Sequence, residues 1–363
     1  MRIHRIDPSN GRRGSVMKSW VIRLLVPAAL LGHAAIAEAG GLDRVGTAGA
    51  QELRIPVGAA PIATGGATVA WGGGLANIFY NPAALAATDE TQALVSYSTY
   101  LADAKVNYGA IASHLGSQGE IAFHAKVLNI GDITVTTEDS PEGTGEILTP
   151  NFAVVGFTYA RRMTDRVLLG FGGSFVSEQV AEAKASGFAM DLGVQYDTGW
   201  QGLRFGFAIK NIGPNMRFNG AEFEERIQLP GTDPSSQPHV VRVQSAEFEI
   251  PTYLQIGLAY DLPMGENRHV AIFGAFQGNN FSTDEYRLGA EFPIGEWLAL
   301  RAGYQGQVPL KEEDRQSDYL YSYSYGAGFK FNLGDTPFRF DWAGSSAGDY
   351  FDDNQQFSLG VTF

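Results

Sequence analysis

The chain has 363 residues, of which 18% are charged and 12% aromatic, with 45 glycines, no cysteine and a formal net charge of −13. That charge argues against nucleic acid, whose binding needs a basic face. The missing cysteines exclude disulfides, zinc–cysteine sites and thiol nucleophiles, and spare a secreted chain from mispairing in an oxidising compartment.

The N-terminus carries a targeting pattern. Met17-Lys18-Ser19-Trp20 with Arg23 gives a basic start, Leu24 to Ile36 an apolar stretch, and Ala35-Ile36-Ala37 or Ala37-Glu38-Ala39 a small-x-small cleavage site. Residues 1–39 are therefore expected to be a signal peptide, with Met17 the candidate true start. The apolar stretch falls short of the ~20 residues a spanning helix needs, and it contains Pro27. No other apolar run is long enough, so further membrane embedding has to be by strands.

Residues 40–90 do not alternate. They are rich in Gly and Ala, with Gly65-Gly66-Ala67, then Trp71-Gly72-Gly73-Gly74, then Tyr80-Asn81-Pro82-Ala83-Ala84-Leu85. Glycine lets a backbone approach a wall closely and Pro82 fixes a turn, so this segment is expected to be a hatch inside whatever the later strands enclose. The stretch from Ala48-Gly49-Ala50-Gln51-Glu52-Leu53 to Leu85 resembles the N-terminus of the PorV/PorQ family, within the FadL-like group of outer-membrane barrels. The group's Asn-Pro-Ala-Gly-type hatch motif falls on Asn81, Pro82 and Ala83, with Ala84 where Gly is usual and Gly72-Gly73-Gly74 where relatives carry polar residues. The resemblance implies a fourteen-stranded barrel plugged by a hatch, with Gly65, Gly66, Asn81, Pro82 and Ala83 as hatch residues. It also implies either of two roles: support of protein secretion or surface attachment of cargo, as in a type IX system, or FadL-like passage of small hydrophobic molecules. The first is the main expectation and the second its alternative.

From residue 91 onward the chain alternates. Expected strands cover 91–100, 106–115, 120–130, 151–163, 166–180, 186–198, 203–213, 251–263, 269–279, 283–294, 298–306, 322–334, 337–346 and 355–363, which makes 91–363 an all-β antiparallel transmembrane barrel. Short connections such as 116–119 and 163–165 alternate with longer ones such as 131–150 and 214–250, as periplasmic turns alternate with outer loops. The abundant tyrosines and phenylalanines suit aromatic girdles, and a mean hydropathy near zero follows from averaging two faces.

Period two assigns the faces. Phe188, Met190, Leu192, Val194 and Tyr196 are expected to meet lipid while Asp191, Gly193 and Gln195 point inward; Tyr286, Leu288 and Phe292 oppose Glu285, Arg287 and Glu291 likewise. Arg204, Lys210, Arg301, Arg339 and Asp341 share the inward phase, and Asp191 is expected to pair with Arg204. A charge facing lipid at mid-depth costs roughly 2–4 kcal/mol, so this confinement carries information. The polar lumen residues are thus Asp191, Arg204, Arg287, Glu291, Arg301 and Arg339. The terminal Phe363 reads as the signal for the barrel-assembly machinery, since outer-membrane barrels resemble one another in ending an alternating strand on Phe.

No catalytic arrangement emerges. The glycine clusters lack a phosphate-loop context, no Gly-x-Ser-x-Gly elbow occurs, and His114 and His124 have no serine or carboxylate pattern beside them, which reads as structural. Asp132, Glu138, Asp139, Glu142 and Glu146, and separately Asp349, Asp352 and Asp353, read as solvated acidic loops rather than calcium sites. The long 214–250 loop with Pro230, Pro234 and Pro238 is the expected partner-contact element. Expected partners are outer-membrane lipids, the assembly machinery and, on the secretion reading, secretion-system subunits or cargo proteins. No enzyme activity, cofactor or metal is expected.

Overall fold

The computed structural model describes residues 44–228, 237, 239–264, 269–308, 320–348 and 351–363. The expected signal peptide lies outside these residues, as do Pro230, Pro234, Pro238 and Asp349.

Fourteen strands form one closed antiparallel barrel. They are β1 (Gln92–Thr99), β2 (Lys105–His114), β3 (Glu120–Asn129), β4 (Asn151–Thr164), β5 (Val167–Val180), β6 (Ala183–Asp197) and β7 (Leu203–Ile212), followed by β8 (Tyr253–Pro263), β9 (His269–Asn279), β10 (Glu285–Ile294), β11 (Leu298–Gln307), β12 (Tyr323–Leu333), β13 (Thr336–Ser345) and β14 (Asn354–Thr362). Neighbours in sequence are neighbours in the wall, and β14 closes on β1 through pairs such as Ser96 with Ser358. Closure leaves no unpaired strand edge, which a hydrocarbon environment demands. The register slips at two places, between Arg162 and Thr164 on β4 and between Met190 and Leu192 on β6.

The alternation of the sequence becomes the two faces of the wall. On β6, Phe188, Met190, Leu192 and Tyr196 are exposed, while Ala189, Gly193 and Gln195 are buried. The outer surface repeats this with Val95, Ile111, Phe123, Val155, Leu288 and Phe329 exposed. An apolar surface this continuous is not tolerated by a soluble monomer, and it is stable only against lipid.

One rim has tight turns, at 115–119, 165–166, 198–202, 295–297 and 334–335. The opposite rim carries the long segments 130–150 and 213–252, whose described residues include small ribbons, Glu224–Ile227 with His239–Arg242 among them. The two-residue turn Ala181-Glu182 on that rim departs from the pattern. There, β5 and β6 run 14 and 15 residues, so the hairpin projects past the rim, and Lys184 exchanges backbone hydrogen bonds with Asn219 of the long loop.

The hatch fills the lumen. It has short helical turns at Gln51–Leu53, Ala59–Ala63, Thr68–Ala70 and Pro82–Ala87 and is buried almost throughout. Ala59–Ala63 packs on β12 and β13, Thr68–Ala70 on β7 and β8, and Pro82–Ala87 on β4, β5 and β6. The segment therefore reaches one side of the wall, crosses to others, and enters β1 at Gln92.

Candidate functional site

Asn81 holds the hatch in its seat. It is fully buried and caps the Pro82–Ala87 turn, its Oδ1 accepting from the Ala83 backbone N–H at 3.0 Å. Its Nδ2 donates to the carbonyls of Val69 at 2.7 Å, Val194 at 3.0 Å and Phe207 at 3.4 Å. One side chain thereby joins two hatch segments to β6 and β7. Pro82 supplies a preset φ at the first position of the turn. Gly65 and Gly66 both have positive φ, where a non-glycine residue is strained, and the Gly65 N–H donates to Ser324 Oγ of β12 at 3.0 Å.

Inward glycines of the wall receive the hatch backbone. A Cβ added at Gly170 would fall on the Ala83 nitrogen, at Gly193 on Asn81 Oδ1, at Gly206 on the Val69 carbonyl, at Gly289 on the Thr64 carbonyl and at Gly303 on the Gly65 nitrogen. These five lie on β5, β6, β7, β10 and β11 and form a track wide enough only for a wall without side chains.

Below the hatch, toward the rim of tight turns, a cavity of about 440 Å3 is lined by Trp71, Arg204, Glu291, Arg301 and Arg339. Arg301 Nε donates to Glu291 Oε2 at 2.6 Å and its Nη1 to Asp341 Oδ1 at 2.8 Å, while Arg339 Nε donates to Asp341 Oδ2 at 2.8 Å. The expected pairing of Asp191 with Arg204 does not form. Asp191 instead pairs with Lys210 at 2.5 Å and accepts from the Asn211 N–H, and Arg204 reaches Asp197 and Asp261, each at 3.4 Å. The register explains it: Asp197 stands opposite Arg204, and Asp191 is six residues farther up β6, roughly 20 Å along the strand. Arg204 also stacks over Trp71, 4.6 Å from the ring centre.

Above the hatch, a cavity of about 720 Å3 opens toward the rim of long loops. Its apolar walls come from Ile55, Ile62 and Phe79 of the hatch and Leu128, Ile130 and Phe152 of the wall and loop. Tyr80, Tyr100, Tyr253, Gln255 and Gln277 add polar groups. Arg287 Nη2 and Arg54 Nη2 share the Glu285 carboxylate, at 2.7 and 3.2 Å. Burial pushes the phenols of Tyr80 and Tyr100 up. Two buried ammonium groups approach the Phe79 ring, Lys126 at 4.8 Å and Lys210 at 5.7 Å from its centre. Lys126, Glu52 and Glu178 escaped the sequence reading, although Lys126 and Glu178 lie on the inward phase of β3 and β5 and were open to the same alternation argument.

A third hollow, about 560 Å3, lies on the lipid face across β1, β2, β3, β13 and β14. Val95, Tyr97, Gly109, Phe340 and Leu359 line it, together with the inward residues Ser96, Tyr108 and Ser358. Ser98 and Gln356, the next inward residues on the same two strands, line the upper cavity.

His114 has a carboxylate beside it after all: its Nδ1 contacts Glu120 Oε1. The two are directly opposite across the 115–119 turn, a pairing visible only once the register is known. Among the described residues, the acidic residues of the outer loops form no convergent cluster. Phe363 ends the chain with an exposed ring, and its N–H donates to the Thr91 carbonyl at 2.9 Å.

A closed wall greasy outside and charged inside, plugged by its own N-terminal segment, defines a hatch-bearing β-barrel of the bacterial outer membrane. No protein-family model matches the chain and no curated protein matches it in sequence. Solved structures do match. The fold is similar to that of the Pseudomonas putida toluene transporter TodX, with a TM-score of 0.50 and 14% identity over 85% of this chain and 97% of that one. A Pseudomonas aeruginosa FadL homologue gives 0.50 and 13% over 85% and 98%, and the deltaS2S3 mutant of TodX, a monoaromatic hydrocarbon channel, 0.54 and 14% over 85% and 98%. The shared property is the FadL-like fold.

Proposed function

We propose that the protein is a FadL-like channel that admits small hydrophobic molecules through the outer membrane. The observation that carries this reading is the cavity of about 720 Å3 between hatch and wall, faced by Ile55, Ile62, Phe79, Leu128 and Phe152. Pockets of this size with apolar walls and a few fixed polar groups are built for small molecules. The lipid-face hollow adds a direction. Since Ser96 and Ser358 border it and Ser98 and Gln356 border the upper cavity, one step along two strands separates them, and an apolar molecule gains by leaving sideways into lipid rather than downward past Arg204, Arg301 and Arg339. The hydrocarbon channels of similar fold support the same reading.

The PorV/PorQ resemblance would instead make the barrel a support for secretion or cargo attachment. That reading rests on the likeness of residues 48–85 and would dock partners on the 214–250 loop, whose three prolines lie outside the described residues; nothing described favours it.

The test is uptake of labelled toluene by cells of an outer-membrane-impermeable strain expressing the chain. Uptake should rise above the empty-vector level, and Gly109→Trp, which fills open space in the lipid-face hollow, should reduce it with the barrel still folded. Uptake equal to the vector control, with proteins rather than apolar molecules co-purifying in detergent, would overturn the channel reading.

A further inference from the structure

The rim of tight turns carries a cluster that the transport reading does not use. His114 ends β2 and Glu120 begins β3, while Asp89 lies in the link between the last hatch turn and β1. One ligand atom from each of the three lies within 4.8 Å of the others. Imidazole nitrogen and carboxylate oxygens bound to one zinc ion at about 2.0–2.2 Å sit roughly 3–4 Å apart, so Asp89 must move inward and the His114 ring back from its contact with Glu120, and both side chains are exposed.

Glu120 supplies the independent observation. Its side chain is 3% exposed; Oε1 faces His114, and Oε2 is buried without a hydrogen-bond partner. A buried carboxylate oxygen without a donor is costly, and a cation is the partner that offsets this. Arg162, the nearby cation, stands 3.9 Å from Asp89 and donates to the Ala86 carbonyl, so it does not meet that oxygen. One imidazole and two carboxylates, with water in the fourth position, form a ligand set for zinc-class ions rather than for calcium or magnesium.

We propose that Asp89, His114 and Glu120 bind a divalent cation of the zinc class, which ties the hatch-to-wall link to the β2–β3 turn. The Pro82–Ala87 turn continues directly into that link, so the ion fixes the end of the hatch opposite the Asn81 cap.

The full-length barrel, purified in detergent, stripped with chelator and freed of any affinity tag, is titrated with ZnCl2 by calorimetry. One equivalent should bind. Asp89→Asn, an exposed substitution in a link, and His114→Ala should each weaken binding by more than about tenfold, the least expected when a ligand is lost. His239→Ala, an exposed histidine on the opposite rim, should leave it unchanged. Zinc should also slow proteolysis at residues 88–91 in the parent chain and not in Asp89→Asn, with retention of the folded gel band confirming an intact barrel. Absence of saturable uptake in the parent, or uptake that both variants retain, would overturn the assignment.

Discussion

Glu52 sits on the Gln51–Leu53 turn with its carboxyl against that of Glu178 on β5, whose Oε1 accepts from the Ala50 N–H at 3.1 Å. Lys126 is near, but its ammonium donates to the Ile55 carbonyl at 3.0 Å. Burial first, and the Glu178 carboxylate second, push Glu52 up to about 8 from an ordinary 4.5. The folded chain therefore keeps a proton that the unfolded chain releases. Stability from this proton is fully present below about pH 4.5 and is lost as pH rises through about 8. Melting temperatures of the detergent-folded barrel, read from the loss of the compact gel band, should fall across this window. In Glu52→Gln, where a neutral amide replaces the acid, the fall should flatten; an unchanged pH profile would show that Glu52 is already ionised.

At the scale of elements, the hatch and the wall are fitted backbone to backbone. Gly193 has Asn81 Oδ1 and, at 2.8 Å from an added Cβ, Pro82 Cδ, both held by the cap, so neither can retreat. Gly360 on β14 meets nothing nearer than Leu94 Cδ1 at 3.7 Å, an ordinary contact. Gly193→Ala should thus destabilise by about 1–3 kcal/mol, as overpacking does, while Gly360→Ala stays within about 0.5 kcal/mol. Urea unfolding of the two variants in lipid vesicles measures the difference. The strands themselves were legible in the sequence, because a wall with lipid on one side writes period two into every crossing, and the bounds differ from those expected by at most three residues. Register was not legible. The partner of Asp191 depends on the pairing that sets Asp197 against Arg204 and Leu192 against Ile209, and the meeting of His114 with Glu120 on the length of the 115–119 turn. The inward glycines read only as small residues. Their use as a track for the hatch needs both surfaces at once, and the hatch has no period from which its path could be drawn.

For the molecule as a whole, wall and hatch divide the work. Every strand of the wall is hydrogen-bonded to two neighbours, and the ring closes between β14 and β1 without help from residues 44–87. The lumen charges pair largely among wall strands, as in Glu291–Arg301–Asp341–Arg339 on β10, β11 and β13, so water can replace the hatch without stranding them. The hatch is then what separates the cavities of about 720 and 440 Å3, and in the proposed channel it would force an apolar solute toward the wall. A chain lacking residues 44–87 should still fold to a heat-modifiable barrel. In planar bilayers it should conduct ions through an open lumen, where the full chain conducts little. Toluene uptake should lose its sensitivity to Gly109→Trp, because a water-filled lumen offers a second route that avoids the lipid-face hollow. Retained sensitivity in the open barrel would mean that the lateral route works without the hatch; failure to fold would show that the wall needs its plug as a core.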